Sequence, residues 1–318
     1  MSSSDGEATR LVFAIDEAYS LPLTVAWHSL RVSNSELTDR LTIDVLYEEL
    51  SPPTIERLRW HAELLGLRVR LRPVRLEPIR YPTAFGGAQA NYLRLVIPEL
   101  YLDGERILYL DADLVVRGDL RALLDTGLDG RPIAAVRDPL NPVVGRGRAL
   151  PGWSKLGIPP EQEYFNSGVL LIDPARCREE RLFARAVEFI AAHPEHIRLW
   201  DQDALNWAAA DRWQRLDPHR NAFPLSALVR TPWVSYTTED LMPLQDLVRL
   251  EETAAVLHFA SPAKPWKNLL PDGPAADAYR ALLSAVRDAE LGVHRHGLNA
   301  DPPRLHPRPT TPNQTGGH

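Results

Sequence analysis

Short apolar segments alternate with stretches of helical spacing along most of this chain. An apolar run of about four to eight residues is typical of a buried strand, and apolar residues every three or four positions are typical of an amphipathic helix. The alternation predicts an α/β fold, a sheet covered by helices on both faces. The strand candidates are residues 11–15, 41–47, 67–74, 107–110, 132–136 and 168–172, and the helix candidates are residues 21–32, 52–65, 87–100 and 174–193.

The two ends of the chain differ from the rest in composition. Residues 1–9 are polar, and residues 301–318 contain five prolines and two adjacent glycines. Neither stretch has enough apolar residues to bury a core. No composition shift divides the remainder. We therefore expect a disordered N-terminus over residues 1–9, one domain over 10–290 and a proline-rich disordered tail over 291–318.

Charge and cysteine content exclude several classes of protein. The formal net charge is −6, from 36 Lys and Arg against 42 Asp and Glu, so no basic face for nucleic acid is expected. The single cysteine, Cys177, rules out an intrachain disulfide and a four-cysteine zinc site. No apolar run is long enough for a membrane span, and the first ten residues lack the apolar core of a signal peptide. These features predict a cytoplasmic protein.

Asp111 and Asp113 follow the strand candidate 107–110 directly. Alternate residues of an extended chain point to the same side, so the two carboxylates project together where a buried strand ends. Ligands of open α/β sheets bind at the carboxyl ends of strands. Two carboxylates there suit Mg²⁺ or Mn²⁺, which can also hold a diphosphate. Taken alone, however, the short motif is more often a pair of turn acids.

A second candidate stretch, HFASPAKPW, begins at His258 after another apolar run. The imidazole of His258 could supply a nitrogen ligand to a metal ion. Lys264, six residues later, could hold a phosphate as a point charge. Taken alone, His258 is better explained as a half-buried structural histidine, and Lys264 as a surface lysine.

Two further polar motifs lie beside predicted elements. Asn166 precedes the strand candidate 168–172, where it could bond a sugar hydroxyl, and Gly168 would let a ligand approach the backbone. The alternative for Asn166 is a turn residue at a strand start. Asp201 and Gln202 open a helical stretch and could also bind sugar hydroxyls. Helix capping would explain them equally well.

In this order, the motifs resemble those of family 8 glycosyltransferases, the retaining enzymes that include bacterial lipopolysaccharide galactosyl- and glucosyltransferases and glycogenin. The resemblance covers roughly residues 11–270 and includes FAIDEAY from Phe13 and NYLRL from Asn91. It implies a GT-A fold, which is a Rossmann-like mixed sheet with helices on both faces in a single domain. It also implies a nucleotide-sugar donor, usually a UDP-sugar.

The resemblance also assigns roles to individual residues. It implies a metal ion, Mn²⁺ or Mg²⁺, bound by Asp111, Asp113 and His258. The residues implied to contact the donor are Asp16 and Tyr19 at the uridine, Arg94, Asn166, Asp201 and Gln202 around the sugar, and Ser261 and Lys264 at the diphosphate. This chain departs from the family pattern at two positions. Position 18 is Ala where relatives often carry a polar residue, and position 261 is Ser where glycine is usual.

The implied reaction moves glucose or galactose from the UDP-sugar to an acceptor hydroxyl with retention of configuration. The metal and Lys264 would stabilise the leaving diphosphate. Asp201 and Gln202 are the nearest candidates for a nucleophile, and an amide is a poor one, so same-face attack by the acceptor is favoured over a covalent intermediate.

Two other functions stay open at this point. One is a sugar-nucleotide-binding partner protein that has lost transfer activity, against which the intact candidate site residues argue. The other is a metal-dependent nucleotidyltransferase. Such enzymes usually carry a glycine-rich loop after the first strand, and the loop after Ile15 contains no glycine.

The segments outside the motifs bear on the acceptor. Residues 291–318 contain no Trp, Tyr or Phe and cannot form an amphipathic helix with an apolar face. This composition predicts no stable membrane association and an acceptor that is soluble or carried by a protein. Residues 138–163 are rich in Pro and Gly, and we expect them to hang over the cleft as a lid that becomes ordered with UDP and metal, with Trp153 stacked on a sugar or base.

Overall fold

The computed structural model describes residues 10–82, 89–102 and 104–296, and the side chains through residue 292. Nine strands form two sheets in these ranges. They are β1 (Arg10–Ala14), β2 (Thr42–Tyr47), β3 (Val69–Pro73), β4 (Ile107–Leu110), β5 (Leu114–Val116), β6 (Ile133–Arg137), β7 (Phe165–Ile172), β8 (Trp213–Arg215) and β9 (Val256–His258). The larger sheet has the order β3-β2-β1-β4-β7-β6-β8, and β5 pairs with β9 in a small second sheet.

The direction of the strands decides where polar residues gather. Strands β3, β2, β1 and β4 run parallel, β7 runs antiparallel to both β4 and β6, and β8 runs parallel to β6. The carboxyl ends of β1, β4 and β6 therefore share one edge of the sheet with the amino end of β7. Ligands bind at this edge in open α/β sheets.

Helices cover both faces of the larger sheet. The α-helices are α1 (Ser20–Ser33), α2 (Ser35–Thr38), α3 (Pro52–Leu64), α4 (Ile97–Leu100), α5 (Arg121–Leu124), α6 (Pro174–Glu179), α7 (Leu182–Ala192), α8 (Trp200–Ala209), α9 (Leu225–Leu228), α10 (Leu244–Thr253) and α11 (Pro274–His296). Short 3₁₀ helices lie at Glu17–Tyr19, Gln89–Val96, Pro194–His196, Pro218–Arg220 and Pro265–Lys267.

Alternation along the strands builds two cores, one on each face of the sheet. Tyr109 of β4 belongs to the core that includes α7 and α8, and Leu110 belongs to the core that includes α1 and α3. A third apolar cluster packs α9, α10 and α11 against the small sheet. The predicted single-domain α/β architecture with helices on both faces is confirmed.

Two predicted elements differ from the structure. The helix predicted over residues 174–193 is two helices, α6 and α7, because Arg181 between them has a left-handed φ of 52°. The helix predicted over 87–100 lies partly outside the described residues. Its described part is the 3₁₀ helix Gln89–Val96 followed by α4, in which Pro98 occupies the first turn, where its missing N–H costs nothing.

The remaining boundaries also shift. Strand β7 begins at Phe165, three residues before the predicted start. Helix α11 continues to His296, beyond the predicted domain end at 290. Residues 1–9 and residues 297–318, which make up most of the predicted tail, lie outside the described residues. Their predicted disorder stays a prediction. Within the described ranges, no helix has both the length and the hydropathy that crossing a bilayer requires.

Residues 138–163 form turns around a few buried anchors. Val144 and Leu150 are buried in the core that includes α7 and α8, and Trp153 packs against the same core while half-buried. The backbone N–H of Leu150 donates to Asp203 Oδ1 at 2.7 Å. The segment is therefore tied to α8. Its ordering by ligand stays a prediction.

Candidate active site

Three predicted metal ligands meet where the two sheets join. Asp111 follows β4, Asp113 precedes β5, and His258 ends β9 opposite Leu114 of β5. His258 Nε2 lies 3.6 Å from Asp111 Oδ2 and 3.2 Å from Asp113 Oδ1. One ligand atom from each residue lies within 4.8 Å of the other two. Two carboxylates and an imidazole at this spacing fit a divalent ion such as Mn²⁺.

Hydrogen bonds determine which nitrogen of His258 faces the carboxylates. The N–H of Gly168 donates to Asn166 Oδ1 at 3.0 Å, so that atom is the amide oxygen. Asn221 Nδ2 donates to the same oxygen at 2.8 Å, which leaves Asn221 Oδ1 as the acceptor, 2.9 Å from His258 Nδ1. The proton of the neutral imidazole therefore sits on Nδ1. The lone pair of Nε2 is free for a metal, as in other proteins where an outer group orients a ligating histidine.

Gly168 makes room for this cluster. A Cβ atom at position 168 would lie 2.2 Å from His258 Cε1 and 2.8 Å from Asp111 Oδ2. Real Cβ atoms do not approach other atoms so closely, so a glycine is required where β7 passes the site. The sequence predicts that Gly168 lets a ligand approach the backbone, whereas in the structure it makes room for the side chains of two candidate metal ligands, Asp111 and His258.

Lys264 is paired with Asp113 in this structure. Its ammonium contacts Asp113 Oδ2 and donates to the Phe259 carbonyl at 2.8 Å. Burial of Asp113 opposes its ionisation, but the Lys264 ammonium acts in the opposite direction, and the pKa of Asp113 lies well below its usual range. Asp113 is therefore a carboxylate near neutral pH. A bound metal ion would share this carboxylate with Lys264.

Arg94 connects the metal cluster to α8. Its guanidinium is buried, with Nη2 2.9 Å from Asp111 Oδ1 and Nε 3.0 Å from Asp201 Oδ2. A third contact runs from Nη1 to the Ser167 carbonyl, and the guanidinium lies 4.4 Å above the ring of Tyr109. The Tyr109 hydroxyl donates to Asp111 Oδ1 at 2.8 Å. Asp111 is thus oriented by two groups that the sheet and the 3₁₀ helix hold in place.

Asp201 has a strongly altered acidity. Burial raises the pKa of this carboxyl to about 7, although the Arg94 guanidinium acts in the opposite direction. The neighbouring Asp203 is different in role, because its Oδ2 accepts backbone N–H groups from Arg198 and Leu199 at 2.6 and 2.7 Å. Asp203 therefore fixes the backbone that precedes α8, while the Asp201 carboxylate contacts Arg94.

Gln202 and Asn166 belong to one buried amide network. Gln202 Oε1 accepts from Asn166 Nδ2 at 2.9 Å and from the Ser167 N–H at 3.0 Å. Gln202 Nε2 and Asn166 Nδ2 both donate to Asp138 Oδ2, at 3.1 and 3.3 Å. The network holds the amino end of β7 against α8. Asn166 is thus a strand residue with defined partners and not a turn residue.

The three remaining predicted donor residues lie near Lys264 or make local contacts. Tyr19 packs edge-on against Trp266 at 5.7 Å, and the Lys264 ammonium lies 5.8 Å from the Tyr19 ring centre. Asp16 caps its own 3₁₀ turn by accepting the Tyr19 N–H at 3.0 Å. Ser261 Oγ accepts the Ala263 N–H at 3.1 Å. The contacts of these residues with a donor stay predictions.

Sequence reasoning missed two residues that position this site. Asn221 orients His258, and Asp138 anchors Asn166 and Gln202. Neither residue stands in a pattern that indicates chemistry. Asp138 follows β6, so its place after a strand of the same edge is the one signal that could have suggested it.

The fold agrees with that of solved glycosyltransferases. The galactosyltransferase LgtC, solved with donor and acceptor sugar analogs, superposes with a TM-score of 0.66 and is 26% identical, over 87% of this chain and 95% of that chain. GlyE of Streptococcus pneumoniae, at 22% identity and a TM-score of 0.63, shares the fold over 90% of this chain and 64% of its own. The architecture is the GT-A fold of nucleotide-sugar-dependent transferases.

Sequence comparison assigns the family. The model described as "Glycosyl transferase family 8" matches residues 10–269, and the chain belongs to this family. General stress protein A of Bacillus subtilis (strain 168) is 26% identical over 90% of this chain and 96% of its own length. Lipopolysaccharide glucosyltransferase WaaO of Escherichia coli (strain K12) is 28% identical over 64% of this chain and 57% of its own length. The chain thus spans little more than half of WaaO.

Proposed function

We propose that this chain transfers glucose or galactose from a UDP-sugar to an acceptor hydroxyl, with retention of anomeric configuration and with Mn²⁺ or Mg²⁺ as cofactor. The observation that carries the proposal is the convergence of Asp111, Asp113 and His258 beside the Lys264 ammonium. This combination of ligands and a fixed cation suits a diphosphate leaving group. Family membership and the likeness to LgtC support it.

The charge of the leaving diphosphate would be balanced from two sides. A bound divalent ion supplies Lewis-acid stabilisation of the departing oxygen. Lys264 is held by Asp113 and by the Phe259 carbonyl, so its position is set before a donor arrives. Preorganised charge of this kind stabilises a transition state without reorganisation during the reaction.

The contacts of α8 favour same-face attack by the acceptor. Gln202 Oε1 already accepts two hydrogen bonds and is a weak nucleophile, and Asp201 is paired with Arg94. Neither side chain is poised to form a covalent bond. We assign Asp201 and Gln202 to orienting the donor sugar together with Arg94 and Asn166, and Asp16, Tyr19 and Ser261 to the nucleotide side.

The acceptor is proposed to be water-soluble or carried by a protein, and the enzyme to act in the cytoplasm without stable membrane association. Deletion of residues 297–318 should then leave transfer to a soluble acceptor unchanged. Sedimentation of the full chain with anionic vesicles that is lost on this deletion would contradict the proposal.

The reaction itself is tested by supplying UDP-glucose and UDP-galactose with Mn²⁺ and measuring released UDP and pyrophosphate separately. Free UDP supports transfer, pyrophosphate would indicate a nucleotidyltransferase, and binding with no turnover would indicate a non-catalytic partner protein. The anomeric coupling constant of the first-formed product, read by NMR, tests retention. Lys264→Met should abolish UDP release, and Lys267→Met, a change at an exposed lysine three residues away, is the matched control.

A further inference from the structure

A second group of potential metal ligands lies in the loop after α7, apart from the active site. Among the residues that the structure describes, it is the other place where three ligand atoms lie within 4.8 Å of one another. The group comprises His193, Glu195 and His196, and none of them contacts a residue of the metal cluster described above. The function proposed for the chain does not use them.

The backbone holds these three side chains in one short turn. His193 closes α7 by donating its N–H to the Phe189 carbonyl at 2.8 Å, and Pro194 begins a 3₁₀ turn whose His196 N–H donates to the His193 carbonyl at 2.9 Å. The rings of His193 and His196 lie 5.9 Å apart at an interplanar angle of 23°. One ligand atom from each of the three side chains lies within 4.8 Å of the other two.

The distances approach those of a tetrahedral zinc site. His196 Nε2 lies 3.6 Å and His193 Nδ1 lies 3.9 Å from Glu195 Oε1. With bonds of about 2.0 Å, two ligand atoms of a tetrahedral Zn²⁺ ion are about 3.3 Å apart. Two histidines and one glutamate with an open fourth position are a known zinc ligand set, and imidazole also suits Ni²⁺ and Cu²⁺.

One ligand is fixed by the segment that borders the active site. His196 is largely buried beneath Gly152, where an added Cβ would lie 2.4 Å from its Cε1 and Nδ1 atoms. Gly152 has a φ of 83° and belongs to the same turn region as Leu150, whose N–H donates to Asp203 of α8. An ion bound to His196 would thus hold the loop after α7 against residues 150–157.

We propose that His193, Glu195 and His196 form a second metal site, which takes a nitrogen-preferring transition ion such as Zn²⁺ and stabilises the turn at Gly152. The site differs from the Asp111 cluster in donor chemistry, because imidazole nitrogens are the majority of its ligands. Carboxylates are the majority at the Asp111 cluster.

The test is equilibrium dialysis of the metal-free full chain against ZnCl₂ near neutral pH. The parent should bind one more equivalent of Zn²⁺ than His193→Gln/His196→Gln. Glu195→Gln changes a side chain that is 62% exposed, so its thermal midpoint measured in chelator should equal that of the parent. The affinity of this variant for the additional equivalent of Zn²⁺ should be at least tenfold lower. His219→Gln is the matched control, because His219 is also exposed and lies 2.7 Å from the carboxylate of Asp217, but belongs to no three-ligand cluster within the described part of the chain.

Equal Zn²⁺ stoichiometry and affinity in the parent and the double variant would overturn the site. Counting the difference between variants removes the contribution of the Asp111 cluster and of the other histidines. Hydrogen exchange over residues 150–157 tests the second half of the proposal. Zn²⁺ should slow exchange there in the parent and in His219→Gln but not in the double variant, and Zn²⁺ binding without slower exchange would refute the stabilisation of the turn.

Discussion

Asn221→Ala should weaken metal binding at the Asp111 cluster although Asn221 is not a metal ligand. The side chain is buried, accepts the Nδ1–H of His258 at 2.9 Å and donates to Asn166 Oδ1 at 2.8 Å. Alanine removes the acceptor that keeps the proton on Nδ1. The imidazole is then free to place its proton on Nε2, which is the nitrogen that faces Asp111 and Asp113.

The size of the effect follows from two separate losses. Removal of the group that orients a ligating histidine typically lowers metal affinity about 10- to 100-fold, or about 1.4–2.8 kcal/mol. The buried His258 Nδ1, left without a hydrogen-bond partner, costs about 1–3 kcal/mol of unfolding free energy in addition. Metal affinity and stability are therefore both expected to fall, and they have to be measured apart.

Asn34→Ala is the matched control for stability. Asn34 is also a buried asparagine, and its side chain makes three hydrogen bonds: to the Ser33 hydroxyl, to the Gly118 carbonyl and from the Leu120 N–H, none of them to a site residue. Both variants should lose similar unfolding free energy in urea, but Asn221→Ala alone should lose Mn²⁺ affinity in a titration followed by electron paramagnetic resonance. Unchanged Mn²⁺ affinity in a folded Asn221→Ala protein would refute the assignment of the imidazole proton.

Asp111→Asn and Asp113→Asn should each abolish UDP release, since each removes a metal-ligand charge, and Asp113→Asn also frees Lys264; turnover at the parent rate in either variant would contradict the metal assignment. Gly168→Ala should lower Mn²⁺ affinity and cost about 1–3 kcal/mol of unfolding free energy by overpacking against His258, whereas Gly127→Ala, whose Cβ would meet nothing closer than 3.4 Å, should leave Mn²⁺ affinity unchanged. Burial lowers the pKa of His61, although Glu290 opposes the shift. The unfolded chain therefore binds more protons, and unfolding free energy should fall as the pH drops through 6.5; thermal midpoints measured across this range should decline less steeply for His61→Gln.

The sequence predicts the large sheet better than the short elements. All six strand candidates overlap strands of the structure, because each has enough apolar residues to show a pattern. Strands β5, β8 and β9 have three residues each, too few for any period. Strand β8 forms beside the longer β6, and β5 and β9 pair with each other, so all three depend on partners that are distant in sequence. The break at Arg181 is also invisible in sequence, since arginine is not a residue that marks a left-handed turn.

The residues of the candidate site also differ in whether the sequence could predict them. Asp111, Asp113 and His258 could be found because they follow apolar runs and match a family pattern. Asn221 could not, because it reaches Asn166 across 55 residues and only the folded sheet brings the two together. Asp138 reaches Asn166 across 28 residues, and its place after β6 is the one signal that the sequence holds for it. Gly168 is a different case, because the sequence indicates that a small residue belongs there but not which neighbouring side chains need the space.

The position of Asp111 and Asp113 has a mechanical consequence. Asp111 ends a strand of the large sheet, while Asp113 lies at the start of the small sheet that also carries His258. An ion held by all three residues would cross-link the two sheets, which are otherwise connected here by a short segment of chain. The small sheet could then separate only by giving up the ion, so its local unfolding would become costlier by the free energy of binding. The availability of the metal ion would thus determine how firmly the small sheet is attached to the large sheet.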